Sequence, residues 1–192
     1  MRSPQTLSEA DRRTVAAWAA DCAEHVLGIF EAAAPGDRRP RDLITRARAF
    51  ARGELDVADG IRRRFAGGVP ADEVHVPAAV AAARAAGQAA ATPHMGAHAL
   101  GAAAYAAKAA GLAAPDRGDA VSEEIRWQLD HLPAAVRTAL LRLPPVGENA
   151  SGPLGPGLLA SGLLGEIIRD LQAALSDSVH ARATANERVR SR

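Results

Sequence analysis

The chain has 192 residues, enough for one domain with a real core, alone or with an appendage. It carries 47 Ala and 18 Leu against 6 aromatic residues, so its apolar content is mostly small and favours close helix-helix approach over a bulky interior. Its 22 Arg and single lysine, Lys108, are balanced by 22 acidic residues to a formal net charge of +1, which removes any global electrostatic case for nucleic acid or an anionic membrane.

So large an Arg excess beside so much Ala reads first as codon composition. The only cysteine, Cys22, cannot form an internal disulfide and reads as a small buried hydrophobe in a reducing cytoplasm. The opening MRSPQTLSEADRRT lacks the apolar run of a signal peptide, and no stretch approaches the ~18 apolar residues of a membrane span. A cytoplasmic protein with no membrane partner is expected.

Val15, Trp18, Ala19, Cys22, Val26, Ile29 and Phe30 recur at steps of three and four, and Thr6 with Glu9 has capping-box spacing, so the first helix is predicted over about 7–34. PGDRRP stops it. A second helix starts near Arg41, with Leu43, Ile44, Ala47, Phe50 and Ala51 on one face, and Gly53 ends or bends it. A short helical segment over roughly 55–66 precedes a Gly/Pro loop in which Val74 and Val76 alternate over too few residues for a sheet. Ala-rich helices are predicted over 77–92, opened by Pro77, and over about 93–111, started by Pro93 and ended by Gly111; small side chains let these two central helices pack closely. Ile125, Leu129, Leu132, Val136, Leu140 and Leu143 form a further stripe in which Pro133 restarts the helix.

The sum over the whole chain is an all-α fold, a compact bundle of six to eight helices, with residues 1–143 as its helical domain. Residues 144–157 have the Pro and Gly density of a linker or loop. In 158–180 Leu159, Leu163, Ile167, Ile168, Leu171 and Leu175 give an additional helix an apolar face that must be buried on the domain, on a partner or on a twin chain. Residues 181–192 have no such face and read as a disordered basic tail.

Three segments occur in order: WAADCAEHVLGIFE at 18–31 with PGDRRPRDLITRARAFARGE after it, AAGQAAATPHMGAHALGAAAYAAKA at 85–109, and IRWQLDHLPAAVRTALL at 125–141. On these the chain resembles a bacterial family of immunity proteins, the actinobacterial group-five immunity-like domain, over about residues 10–143. The resemblance implies an all-α fold and neutralisation of a cognate toxin by binding and occluding it.

Several side chains carry chemical potential. His94 and His98, spaced by four, would share one helical face continued by Gly101, Tyr105 and Lys108. Such a pair is first a structural one hydrogen-bonded between close helices, second an acid-base or ligand site, and third half of a divalent-metal site, with Asp21, Glu24 or His25 as further ligands. The metalloprotease form is excluded because Met95, not Glu, follows the first histidine. No cofactor is required by any motif. Asp21 and His25, also spaced by four, read as an ordinary surface ion pair before an oriented imidazole. Tyr105 needs a hydrogen-bond partner if buried, and Trp18 and Trp127 are core or interface anchors. The clusters Arg38-Arg39-Arg41 and Arg62-Arg63-Arg64, flanked by acids, read as solvated faces, with carboxylate or phosphate recognition through Arg38 and Arg41 second.

Two functions follow. The first is partner occlusion by a helical surface using Trp18, Trp127, Arg38, Arg41 and Lys108. The second is a small all-α enzyme or small-molecule-binding protein of specialised metabolism, with His25, His94, His98, Tyr105 and Asp21 around a pocket between the first helix and the 93–111 helix.

Overall fold

The structure, a computed structural model, describes residues 3–63 and 73–190. Its regular elements are α1 (Glu9–His25), α2 (Leu27–Ala33), α3 (Arg39–Ala51), α4 (Val57–Arg63), α5 (Pro77–Ala91), α6 (His98–Ala113), α7 (Ala120–Asp130), α8 (Ala134–Leu140) and α9 (Gly162–Arg190), with 3-10 turns at Pro4–Thr6 and Leu158–Ala160 and no strand among the described residues. The all-α bundle is as the periodicity implies, with nine α-helices among the described residues where six to eight were expected.

The first difference lies at the start. The single helix expected over 7–34 is two helices, because the chain departs from helical geometry at Val26 (φ −104°, ψ 2°). The expected box of Thr6 and Glu9 is also displaced: Thr6 sits in the 3-10 turn, and Leu7, at φ 62°, cannot be part of a right-handed helix. Ser8 caps instead. Its hydroxyl accepts from the Asp11 backbone N–H at 3.1 Å and donates to Asp11 Oδ2 at 2.7 Å.

The second difference lies in the centre. The sixth helix starts at His98, not at Pro93, because residues 92–97 form turns whose amides go elsewhere: Gly96 N–H donates to Thr6 O and Ala97 N–H to Gln5 O, both at 3.1 Å. The helix runs past Gly111 to Ala113. α6 is enclosed by α1, α5, α7 and α9, and residues 99–107 are buried on every side. Only residues near the size of alanine allow helices to approach from so many directions. Around this axis Trp18, Phe30, Leu43 and Phe50 supply the bulk that the alanines lack.

Past α8 the chain stays packed. Leu154 in the 144–157 loop is fully buried; its N–H donates to Gln5 Oε1 at 2.9 Å, and Gln5 Nε2 donates to Ser151 O at 2.6 Å. Gln172 of α9 pins the same loop, accepting from Val146 N–H and donating to Pro144 O, both at 3.0 Å. The stripe of α9 formed by Leu164, Ile167, Ile168, Leu171 and Leu175 is buried against α6 and α7 within the chain, leaving Leu158 and Leu163 exposed. The backbone of α9 is helical to Arg190, beyond the point where the stripe stops. No helix among the described residues is long and apolar enough to cross a membrane.

Candidate functional site

The last turn of α1 presents Asp21, Glu24 and His25, α3 presents Arg48, and α7 presents Trp127; with His131 just after α7 they line a recess of about 380 Å³. Four of these six side chains are exposed and two half-buried, so the recess is a shallow open surface. Trp127 is its centre. The His25 ring lies parallel to the indole with centroids 3.6 Å apart, and the His131 ring stacks on it at 4.4 Å.

The stack rests on buried polar groups. Glu124, Trp127, Gln128 and His131 fall at steps of three and four and so share one side of α7. Glu124 and Gln128 point inward and are buried. His25 Nδ1 lies 2.7 Å from Glu124 Oε2; a carboxylate only accepts, so Nδ1 carries the proton and Nε2 is left toward the recess. Gln128 Nε2 donates to Glu124 Oε1 at 3.0 Å and to Ala103 O of α6 at 3.1 Å, while the Trp18 indole N–H donates to Gln128 O at 3.1 Å. Gln128 therefore ties α1, α6 and α7 together. The two acceptors facing Nε2 fix the orientation of the amide, and its buried Oε1 has no partner among the described residues. His131 is fixed likewise, its Nδ1 2.8 Å from Trp127 O.

Charges on the rim are paired. Arg48 bridges Asp21 at 2.8 Å and Glu24 at 2.5 Å, and these two bonds raise its already high pKa against the opposing effect of burial. Fully buried Cys22 has its thiol pushed well up, first by burial and then by the charges of Glu124 and Asp21, so it is no nucleophile.

A shallow cavity that touches both α1 and α6 is present, lined by His25, Ala110 and Glu124 among others, but the recess around Trp127 lies between α1, α3 and α7, and the five residues assigned to the expected pocket fall in three places. Asp21 and His25 share the recess but do not pair with each other, since each has a partner from a distant segment. His94 stands exposed in the turn before α6, so it and His98 do not share a helical face; their rings are 6.3 Å apart and tilted. His98 Nδ1 lies 2.8 Å from Gln88 Oε1, linking α5 to α6. Tyr105 is buried deeper along α6 with Arg84 over its ring, and its hydroxyl has neither histidine nor carboxylate as the partner expected for it.

Of the tryptophans, Trp18 is core and Trp127 surface. Arg41 pairs with Glu31 at 2.6 Å, Arg39 with Asp37 and Glu73, and Arg38 is exposed. Arg62 pairs with Asp59; the side chain of Arg63 and all of Arg64 lie outside the described residues. Among the described residues no group of three or more His, Cys, Asp or Glu is placed to hold a metal ion.

Reading the sequence forward missed Glu124, Gln128, His131 and Arg48. One signal was present: Ala120, Glu124 and Gln128, spaced by four, form the buried side of α7, whereas Ile125, Leu129 and Leu132, taken for its core stripe, are only partly buried. Two polar residues at an inward register announce a buried network.

A family model described as "Imm-5 like putative immunity protein" matches residues 5–135, a span that contains every residue of the recess and its support. No curated protein and no solved structure matches the chain.

Proposed function

The chain belongs to the Imm-5 like putative immunity protein family, and from that premise we propose that it acts by binding a polypeptide toxin and occluding it, with the recess around Trp127 as the centre of the docking face. The observation that carries this reading is the form of the recess. A half-buried indole is stacked with two imidazoles, its helix is fixed from below by Glu124 and Gln128, and the rim is polar. A rigid aromatic anchor within a polar rim is the arrangement from which interface hot spots are built, because little side-chain freedom is lost on association. The rim offers Asp21, Glu24 and Arg48 as a charged set for register. The partner is expected to act in the cytoplasm beside this protein.

The test uses a polypeptide toxin sought first among the products of the genes that neighbour this one. The wild-type chain is expected to bind it and restore growth of cells that express it; Trp127→Ala is expected to weaken binding by about 2 kcal/mol or more. Wild-type affinity and protection by a folded Trp127→Ala variant would remove the recess from the interface.

The Glu124-His25 pair favours a second reading, a small-molecule site. A buried carboxylate that fixes an imidazole with Nε2 outward is the arrangement of an oriented acid-base group. A variant His25→Ala that keeps protection from a toxin intact but abolishes binding of a small ligand would select this reading over the first.

A further inference from the structure

A second cavity, about 340 Å³, lies on another face of the molecule, between α5, α6 and the segment that leads into α5. Val74, Val80 and Leu112 give it apolar walls, and Arg84, Lys108 and Tyr105 give it polar groups. Many arginines are matched by acids, among them Arg13 with Glu9, Arg41 with Glu31, Arg48 with Asp21 and Glu24, and Arg142 with Asp11, while Arg38, Arg126 and Arg169 have no ion pair among the described residues. At this cavity two basic side chains without acids share one lining. No carboxylate lines the cavity among the described residues, and neither Arg84 nor Lys108 has an ion-pair partner there. Lys108, the single lysine of the chain, is half-buried and lines the cavity.

Tyr105 supplies an independent observation. The residue is only 3% exposed and lines this cavity, its hydroxyl makes no hydrogen bond among the described residues, and that hydroxyl is not one of the fully buried polar atoms, so it is an accessible donor. The guanidinium of Arg84, an exposed residue, lies 5.8 Å from the centroid of the same ring, over its face.

We propose that this cavity binds a small organic monoanion, a carboxylate carrying an apolar chain or ring. The carboxylate accepts from the Tyr105 hydroxyl, the Lys108 ammonium and the Arg84 guanidinium, and the apolar body lies against Val74, Val80 and Leu112. The mixture of wall and donors selects this ligand class. A compact, strongly hydrated anion would leave the apolar walls unused, and a neutral apolar molecule would leave two cations and a phenol uncompensated. The site shares no lining residue with the recess around Trp127, so it stands whether or not that recess docks a toxin.

Titration of the full-length protein with hexanoate and benzoate, followed by backbone amide and Tyr105 ring resonances, tests the proposal, with inorganic phosphate and benzamide as the compact-anion and neutral arms. Hexanoate or benzoate is expected to shift resonances around Val80, Arg84, Tyr105 and Lys108 saturably. Lys108→Met is expected to weaken that binding about tenfold, and Tyr105→Phe, which removes one oxygen from an otherwise unchanged core, is expected to weaken it measurably. The proposal is overturned by the absence of saturable shifts with either carboxylate, by phosphate binding as tightly as hexanoate, by benzamide binding as tightly as benzoate, or by folded Lys108→Met and Tyr105→Phe proteins that both bind like the wild type.

Discussion

Glu124 holds two groups at once, an imidazole at the surface and an amide in the core, and it does so as a buried charge with both oxygens bonded. Glu124→Ala deprives both. Gln128 Nε2 keeps Ala103 O, but His25 loses the acceptor that fixes its tautomer, so a stability loss of about 1–3 kcal/mol is expected in urea unfolding. The same variant should lose the Nδ1–H preference of His25 in the nitrogen spectrum of its ring. An unchanged unfolding midpoint together with an unchanged tautomer would mean that the carboxylate supports nothing. This residue also marks what sequence spacing can and cannot reveal. The i, i+4 rule puts Asp21 beside His25, and both do reach one recess. Yet the carboxylate that orients the ring lies 99 residues away, and only the packing of α7 on α1 brings it there. His94 and His98 teach the converse, because a spacing of four pairs two side chains only if the backbone between them is helical, and here two amides of that segment are bonded to Gln5 and Thr6 instead.

At the scale of elements, caps decide where helices begin, and α1 is the clearest case. Ser8 and Asp11 close its first turn, and Asp11 also accepts from Arg142, beyond α8, at 2.6 Å, so one carboxylate ties the start of α1 to the segment that follows the matched region. Burial raises the pKa of Asp11, but the hydrogen bonds from Ser8 and Arg142 and the charge of Arg142 outweigh it, and the net value is below 3.8. The folded state thus holds this proton more weakly than the unfolded chain does, and the carboxylate stabilises the fold at all pH values above its unfolded pKa. Asp11→Asn is expected to cost about 1 kcal/mol at neutral pH, from the helix dipole and the ion pair together. The difference from wild type should shrink as pH falls below 3.8 and vanish beneath the folded pKa, where the wild-type side chain is itself protonated. Thermal unfolding across that range checks it, and a difference that persists in strong acid would assign the cost to geometry and not to charge. The helix α3 was legible from its apolar spacing and α5 from its alanines and Pro77, whereas the spacing in α7 revealed a helix but not its inward side. The position of this cap was not, because Thr6-Glu9 and Ser8-Asp11 compete within one short stretch and the positive φ of Leu7, which decides between them, depends on packing against the turn before α6.

For the whole molecule, the question is where the folding unit ends. The composition break at 144–157 and the end of the family match at residue 135 both suggest a domain complete by about Leu143. The packing argues otherwise. An Ala-rich axis such as α6 gains little from each contact and must be covered on every side, and α9 covers the side that α1, α5 and α7 leave open. Burying Leu164, Ile167, Ile168, Leu171 and Leu175 contributes roughly 1.5–3 kcal/mol each, an amount comparable with the whole stability of a domain, about 5–15 kcal/mol. The loop that delivers α9 is fastened as well, since Gln5, near the other end of the chain, bonds both Ser151 and Leu154. A chain truncated to residues 1–143 is therefore expected to lose cooperative unfolding or to aggregate through the uncovered face of α6 and α7, whereas one ending at residue 177, which keeps the entire stripe, should unfold with a near wild-type midpoint. If the 1–143 fragment instead unfolds cooperatively at the wild-type temperature, α9 is an appendage and its apolar stripe serves something outside the chain.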